Sequence, residues 1–151
     1  MSTALLAAQN PTAVVIGIDK SQNRLAKHQM MKGRYMLART DCEPLWQLLV
    51  NAGICLHEHY LLYPNPWPKP AQLQRRVHGH PAFPLLRTLG GNIELRSNWQ
   101  IYAEEFQIAC EVLGLSARLD SVPDASPLTL FEKKYRDRGH SLWRVRAQGP
   151  N

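Results

Sequence analysis

Three prolines fall within five residues in the run Tyr63-Pro64-Asn65-Pro66-Trp67-Pro68-Lys69. Each removes a backbone donor and fixes φ, so the run can sit neither inside a helix nor in a central strand. The preceding stretch, from Ile54 to Leu62, is rich in apolar and aromatic residues and predicts a strand. The proline run is then a stiff loop leaving the carboxyl end of that strand. It carries an amide, an indole and a cation in Asn65, Trp67 and Lys69, with Arg75 and Arg76 close behind. In open α/β sheets that edge is where ligands bind, so the loop reads as chemistry rather than packing.

The rest of the chain supports a sheet of this kind. Ser2 to Gln9 predicts a helix ended by Asn10-Pro11, and Ala13 to Asp19 is a continuous apolar run of the sort found in buried parallel strands. A helix over Lys20 to Lys32, a strand over Arg34 to Thr40 and a helix over Pro44 to Ala52 follow. After the proline loop come a short helix over Pro81 to Leu89, a strand over Asn92 to Ser97 and an amphipathic helix over Trp99 to Leu113. Ser116 to Ser121 predicts a strand, Val122 to Leu130 a loop, and His140 to Arg146 a closing strand. Alternation of strand and helix over the first hundred residues means α/β with a parallel sheet.

At 151 residues the chain is one domain, short for a complete doubly wound enzyme. No apolar run approaches the ~20 residues that cross a membrane, and the first ten residues lack the basic start of a signal peptide. A cytoplasmic protein is expected. Cys42, Cys55 and Cys110 stand far apart with no Cys-x-x-Cys spacing, which points to reduced thiols and argues against structural zinc. The net charge is +6, with arginines outnumbering lysines twelve to six. Arginine pairs phosphates in a fork and stacks on bases, so the balance favours a nucleic-acid partner.

Individual residues carry two readings each. Asp19, at a strand end, could accept from ribose hydroxyls or cap the following helix, and Asp41 repeats the geometry at the next strand, where an adenine amine could be held. His57 and His59 would share a strand face as two metal ligands might, but no third ligand is evident, and no metal is expected. His78-Gly79-His80 reads as a loop. Trp99 and Tyr102 read as core, and Glu104-Glu105 as a solvated helix face.

Several separated blocks follow in order: Pro64-Asn65-Pro66-Trp67-Pro68-Lys69, Gln74-Arg75-Arg76, Pro81-Ala82-Phe83, Leu89-Gly90-Gly91, Ser97-Asn98-Trp99-Gln100-Ile101-Tyr102, and Thr129-Leu130-Phe131-Glu132 followed by Tyr135, Arg138 and Gly139-His140. In these motifs the chain resembles the bacterial tRNA (guanine-N7)-methyltransferase family. Register holds from about Asp19 to Val145. The resemblance implies a Rossmann-like class I methyltransferase sheet with helices on both faces, S-adenosylmethionine as cofactor and tRNA as substrate, in a monomer or homodimer. It implies catalytic roles for Asn65, Arg75 and Asn98, with Asn65 where cofactor and guanine meet. Lys69, Gln72, Arg76, Asn98, Thr129 and Glu132 would bind substrate, with Arg75 and Arg76 on backbone phosphate. Asp19, Asp41, Cys42 and Asn65 would hold the cofactor.

The chain also departs from the family. The loop aspartate is Asn65, the histidine of the basic stretch is Gln72, and the aspartate before the tryptophan is Asn98. The family's first strand and its glycine-rich loop have no counterpart ahead of Ser2, so residues 1–151 are expected to form an incomplete methyltransferase domain. Two other readings stay open: a non-catalytic RNA-binding relative, and a methyltransferase for another substrate on the same fold.

Overall fold

The computed structural model describes residues 2–28 and 35–149. The chain runs α1 (Ser2–Gln9), β1 (Val15–Ile18), α2 (Gln22–His28), β2 (Tyr35–Ala38), α3 (Cys42–Asn51), β3 (Glu58–Leu62), α4 (Leu85–Leu89), β4 (Asn92–Ser97), α5 (Gln100–Val112), β5 (Ser116–Ser121), α6 (Leu130–Asp137) and β6 (Trp143–Gln148). Two 3₁₀ turns, Pro70–Arg75 and Val77–Gly79, fill the stretch after the proline run. Among these residues no helix is long and apolar enough to cross a membrane.

The strands form two sheets. β1 and β2 pair in parallel, and β3, β4, β6 and β5 form a mixed sheet in that order. β3 and β4 are parallel, with Leu62 beside Arg96, whereas β6 is antiparallel to both neighbours. The parallel expectation thus holds for the first hundred residues, and the closing strands add the antiparallel pairs.

Period-2 alternation explains the two faces of the mixed sheet. Leu61, Ile93, Leu95, Val145 and Ala147 are buried and meet Leu86, Leu89, Tyr102, Ala103, Phe106 and Cys110 from α4 and α5. Trp46 of α3 joins this core. The opposite face carries Glu94, Arg96, Arg118, Asp120, Arg144 and Arg146, arranged as cross-strand pairs. Asp120 receives a forked bond from Arg144 at 2.8 and 2.9 Å, and α6 meets this face at Arg96.

Several boundaries differ from expectation for local reasons. The strand predicted over 54–62 is ordered as β3 only from Glu58, because Ile54 and Leu56 donate instead to Leu49 O and Leu89 O at the ends of α3 and α4. Regular helix begins at Leu85 rather than Pro81; the chain from His80 to Pro84 winds through i→i+3 turns, and Pro81 and Pro84 lack donors. α6 falls where no helix was predicted, capped by Thr129, whose Oγ1 accepts from Glu132 N at 2.9 Å. The end of the helix predicted over Lys20 to Lys32, and Arg34 of the strand predicted after it, lie outside the described residues.

The Gly90-Gly91 turn sets how closely β4 approaches β3. Both glycines have positive φ, and a Cβ on Gly91 would meet Leu56 O at 2.5 Å and His57 O at 2.6 Å. Gly53 also has positive φ but faces open space. Gly53→Ala should cost about 1–2 kcal/mol, the left-handed penalty alone. Gly91→Ala should cost more than ~3 kcal/mol, because backbone carbonyls cannot yield. Urea unfolding of the two variants checks the order.

Candidate functional site

Because β3 and β4 are parallel and in register, their carboxyl ends deliver two loops to one edge. The proline loop leaves β3 there, and Asn98 follows Ser97 at the end of β4. Tyr63 N donates to Arg96 O at 2.8 Å and closes the corner between them.

The loop is strained at both ends. Tyr63 has φ of 52° and Trp67 φ of 44°, the two non-glycine residues with positive φ among those described. Such conformations cost on the order of 1–3 kcal/mol each and persist where the surroundings over-determine them.

Tyr63 is held by a buried charge network. Its hydroxyl donates to Glu132 Oε2 at 3.0 Å, and its ring lies 5.8 Å from that of Tyr135. Glu132 is fully buried. Arg96 Nη1 donates to both its oxygens, at 3.0 and 3.1 Å, and Arg136 Nη2 to Oε1 at 3.3 Å. Arg96 Nε turns to Glu94 at 2.7 Å. Arg136 also clamps the carbonyls of Pro123 and Ala125, tying the preceding loop to α6. Burial and the facing Glu132 carboxylate push the Tyr63 phenol well above its ordinary range, so it stays a donor.

Trp67 is held from the other side. Arg76 is buried; its Nε donates to Trp67 O at 3.1 Å, its Nη2 reaches Pro68 O at 3.5 Å, and its Nη1 donates to Glu105 Oε2 at 2.6 Å. His78 Nε2 donates to the same carboxylate oxygen at 2.8 Å, while its buried Nδ1 has no partner. Tyr102 Oη accepts from Val77 N at 3.0 Å, which ties the following turn to α5 as well.

What the loop leaves exposed is basic and aromatic. The Arg75 guanidinium lies 4.9 Å from the centroid of the half-buried Trp67 ring, within cation–π range. Lys69 and Arg75 are exposed, and no carboxylate among the described residues pairs with either. Asn65 is exposed and its Oδ1 accepts weakly from Trp67 N at 3.4 Å. Gln72 is half-buried and its Oε1 accepts from Lys69 N at 3.2 Å, fixing the turn.

These placements revise the roles expected of Arg76, Thr129 and Glu132. Arg76 does not face out toward a phosphate; its guanidinium is buried and spent on Glu105 and loop carbonyls. Glu132 does not line an open pocket, and Thr129 caps the helix that carries it. Glu105, read as part of a solvated face, is an ion-pair partner, whereas Glu104 is exposed and accepts from Gln100. Burial works to raise the Glu105 carboxyl, but the bonds from Arg76 and His78 hold it below its usual range. His57 is exposed and outside β3, so the two histidines share no strand face. His59 is buried, and its Nε2 donates to Gly90 O at 2.7 Å. No cluster of metal ligands occurs among the described residues.

Asp19 and Asp41 stand together at the carboxyl ends of β1 and β2. Asp19 Oδ1 accepts from Ser21 N at 2.8 Å and pairs with Arg24 at 3.2 Å, and Asp41 Oδ1 pairs with Lys20. Asp41 occupies the N-cap of α3 without a capping bond from its side chain. Each acid thus keeps its Oδ2 outside these contacts, an acceptor set that fits hydroxyl or amine donors such as those of a nucleoside. The half-buried Cys42 thiol is pushed up to about 11 by burial, reinforced by Glu43, and so stays protonated at neutral pH. Among the described residues, no hydrogen bond or ion pair joins Asp19, Asp41 or Cys42 to Asn65 or Asn98.

Of the residues that organise the site, Tyr63 and Arg96 carry no role in the sequence, while His78 reads there as loop and Glu105 as solvated helix face. The pattern Thr129-x-x-Glu132, a helix-start signature, could have found α6. Nothing local could have found Glu105.

Stability should respond to both networks. Glu132→Ala leaves Arg96 and Tyr63 facing a void and should destabilise by about 3–5 kcal/mol. Thr129→Ala removes only the cap and should cost about 1 kcal/mol. Burial, outweighing the bonds to Gly90 and Glu105, lowers His59 and His78 from 6.5. As pH falls below 6.5 the unfolded chain takes up protons that the folded chain refuses, so stability drops by about 1.4 kcal/mol per pH unit per histidine until the folded values are reached. Urea titrations at pH 7.5 and 5.5 test this; equal stability at both would refute it.

The family described as "Putative methyltransferase" matches residues 1–145. The tRNA (guanine-N(7)-)-methyltransferase of Yersinia pestis (strain Pestoides F) is 35% identical, over 95% of this chain and 66% of its own length. That of Thiobacillus denitrificans is 34% identical, over 56% of this chain and 40% of its own length. The chain therefore spans less than two thirds of these relatives. A 16S rRNA (adenine(1408)-N(1))-methyltransferase from Catenulisporales acidiphilia, solved with its cosubstrate SAM, superposes with a TM-score of 0.63 at 18% identity, over 99% of this chain and 81% of that one. This likeness shows the class I methyltransferase fold. With the family profile running through all but the last strand's end, the chain belongs to this methyltransferase family.

Proposed function

We propose that this chain carries out S-adenosylmethionine-dependent methyl transfer to N7 of a guanine in tRNA. The observation that carries the reading is the pinned loop after β3, which exposes Asn65, Lys69 and Arg75, the last over the Trp67 ring, at the sheet edge where Asn98 follows β4. The names of the Yersinia and Thiobacillus relatives support the reaction and its substrate. The reading treats residues 1–151 as one methyltransferase domain, a cytoplasmic monomer or homodimer.

Guanine N7 carries a lone pair, so the transfer needs little proton chemistry. S-adenosylmethionine, when bound, supplies a methyl already activated on a sulfonium. The chain's task is orientation, which can contribute up to ~7–11 kcal/mol. Asp19 and Asp41 would accept from the ribose hydroxyls and adenine amine through their free oxygens, with the start of α3 at Cys42 alongside. Asn65 and Asn98 would meet the polar edge of the guanine. Lys69 and Arg75 would pair backbone phosphate, and the Trp67 ring offers a stacking face. Gln72 acts on the substrate through the turn that it fixes, and Thr129, Glu132 and Arg76 through the loop that they support.

The amides set the rate expected. A neutral hydrogen bond contributes about 1 kcal/mol, against roughly 1.5–3 for one to a charge. With Asn65 and Asn98 in place of carboxylates, transfer should be slower by on the order of tenfold per lost charge. The same substitutions favour a second reading, an RNA-binding relative that has lost catalysis.

Labelled methyl transfer from S-adenosylmethionine to unmodified tRNA, with mapping of N7-methylguanine, tests the first reading. No incorporation, together with retained tRNA binding, would select the second. Arg75→Ala should weaken tRNA binding and reduce the slope of log affinity against log salt by about 1; an unchanged slope would remove Arg75 from the phosphate contact.

A further inference from the structure

The two strained residues of the proline loop are held by different means. Tyr63 is fixed by its own side chain, through Glu132. The Trp67 side chain instead supports Arg75, and its backbone is held by a neighbour: Arg76 Nε on its carbonyl at 3.1 Å. The only other bond to Trp67 among those described is the long one from its N–H to Asn65 Oδ1, at 3.4 Å. The left-handed conformation of Trp67 therefore depends on where the Arg76 guanidinium sits.

That guanidinium cannot hold itself in place. Its side chain is 6% exposed, and a buried cation without a counter-charge would move toward water. Glu105 supplies the charge from α5, at 2.6 Å. His78 donates to the same Oε2 and is wedged edge-on against Tyr102 and Phe106, with ring centroids 4.8 and 6.1 Å apart. The Glu105 carboxylate is thereby fixed from two directions on a helix whose Tyr102 and Phe106 are fully buried.

We propose that Glu105 is a positioning residue for the loop. It lies behind the loop and acts through Arg76: Glu105 places Arg76, Arg76 places the carbonyls of Trp67 and Pro68, and Trp67 places the Arg75 guanidinium and the Asn65 amide. The purpose assigned to that geometry rests on the methyl-transfer reading above; the geometry itself does not.

The test uses Glu105→Gln, which keeps the shape and an acceptor but removes the charge, with Glu104→Gln as the control on the same helix. Solvent exchange of the Arg76 Nε–H and of the Trp67 backbone N–H should quicken about tenfold or more in Glu105→Gln. Exchange at Phe106 and Cys110 should stay at the wild-type rate, and Glu104→Gln should change nothing. Unchanged exchange at Arg76 and Trp67, or an equal rise at all sites, would overturn the role. If Glu105→Gln does not fold, Arg76→Lys is read in its place; it keeps the ion pair but loses the fork, and the Trp67 N–H should respond alone. In methyl transfer, Glu105→Gln should lower kcat about tenfold with unchanged affinity for S-adenosylmethionine. A wild-type chain that transfers no methyl while its loop exchanges as described would overturn the methyl-transfer reading and leave the positioning role standing. An active wild type with equal kcat in Glu105→Gln would overturn the positioning role.

Discussion

A guanidinium buried beneath the proline loop is the constraint on which the site depends. Arg76 follows Arg75 directly in sequence, yet the two have opposite fates: one turns inward to the Glu105 carboxylate and the loop carbonyls, the other outward onto the Trp67 ring. Removing a cation from water costs several kcal/mol unless charge and hydrogen bonds replace the lost hydration. Here Glu105 and two backbone oxygens do so. Because those oxygens belong to the loop, satisfying the cation and shaping the loop are one act.

The start of the loop follows the same logic with the signs reversed. Glu132 is a buried anion, compensated by Arg96, Arg136 and the Tyr63 hydroxyl. The two networks hold the loop at its two left-handed residues, from α6 on one side and α5 on the other. Prolines stiffen the chain between them but cannot alone choose its direction, since they fix φ and leave ψ free. Direction comes from the charges.

The outer surface then follows by subtraction. Once Arg76, Glu105, Glu132, Arg96 and Arg136 are spent on one another, the loop is left with Lys69, Arg75, the indole of Trp67 and neutral amides. A surface of cations and π-faces with no carboxylate paired to Lys69 or Arg75 among the described residues suits a polyanion with stackable bases. Asp19 and Asp41, just beyond the strands of the two-stranded sheet, each pair a cation through Oδ1 and leave Oδ2 outside those contacts.

Local signals in the sequence determined the elements and the edge that matters. Period-2 alternation in Asn92 to Ser97 and the glycine stop after α5 gave those elements closely, and the proline run could only be a loop after a strand. The site motifs, from Pro64 to Lys69 and from Thr129 to Glu132, were equally legible as blocks of sequence. Which members face the solvent was not. Arg75 and Arg76 have the same chemistry and adjacent positions, and Glu104 and Glu105 likewise; only packing against α5 decides that Arg76 and Glu105 turn toward each other. The pairs Arg76–Glu105, Tyr63–Glu132 and Arg96–Glu132 link residues 29, 69 and 36 positions apart. A buried charge is placed by whatever counter-charge the fold brings within hydrogen-bond reach, and that distance is not written in any local stretch of the chain.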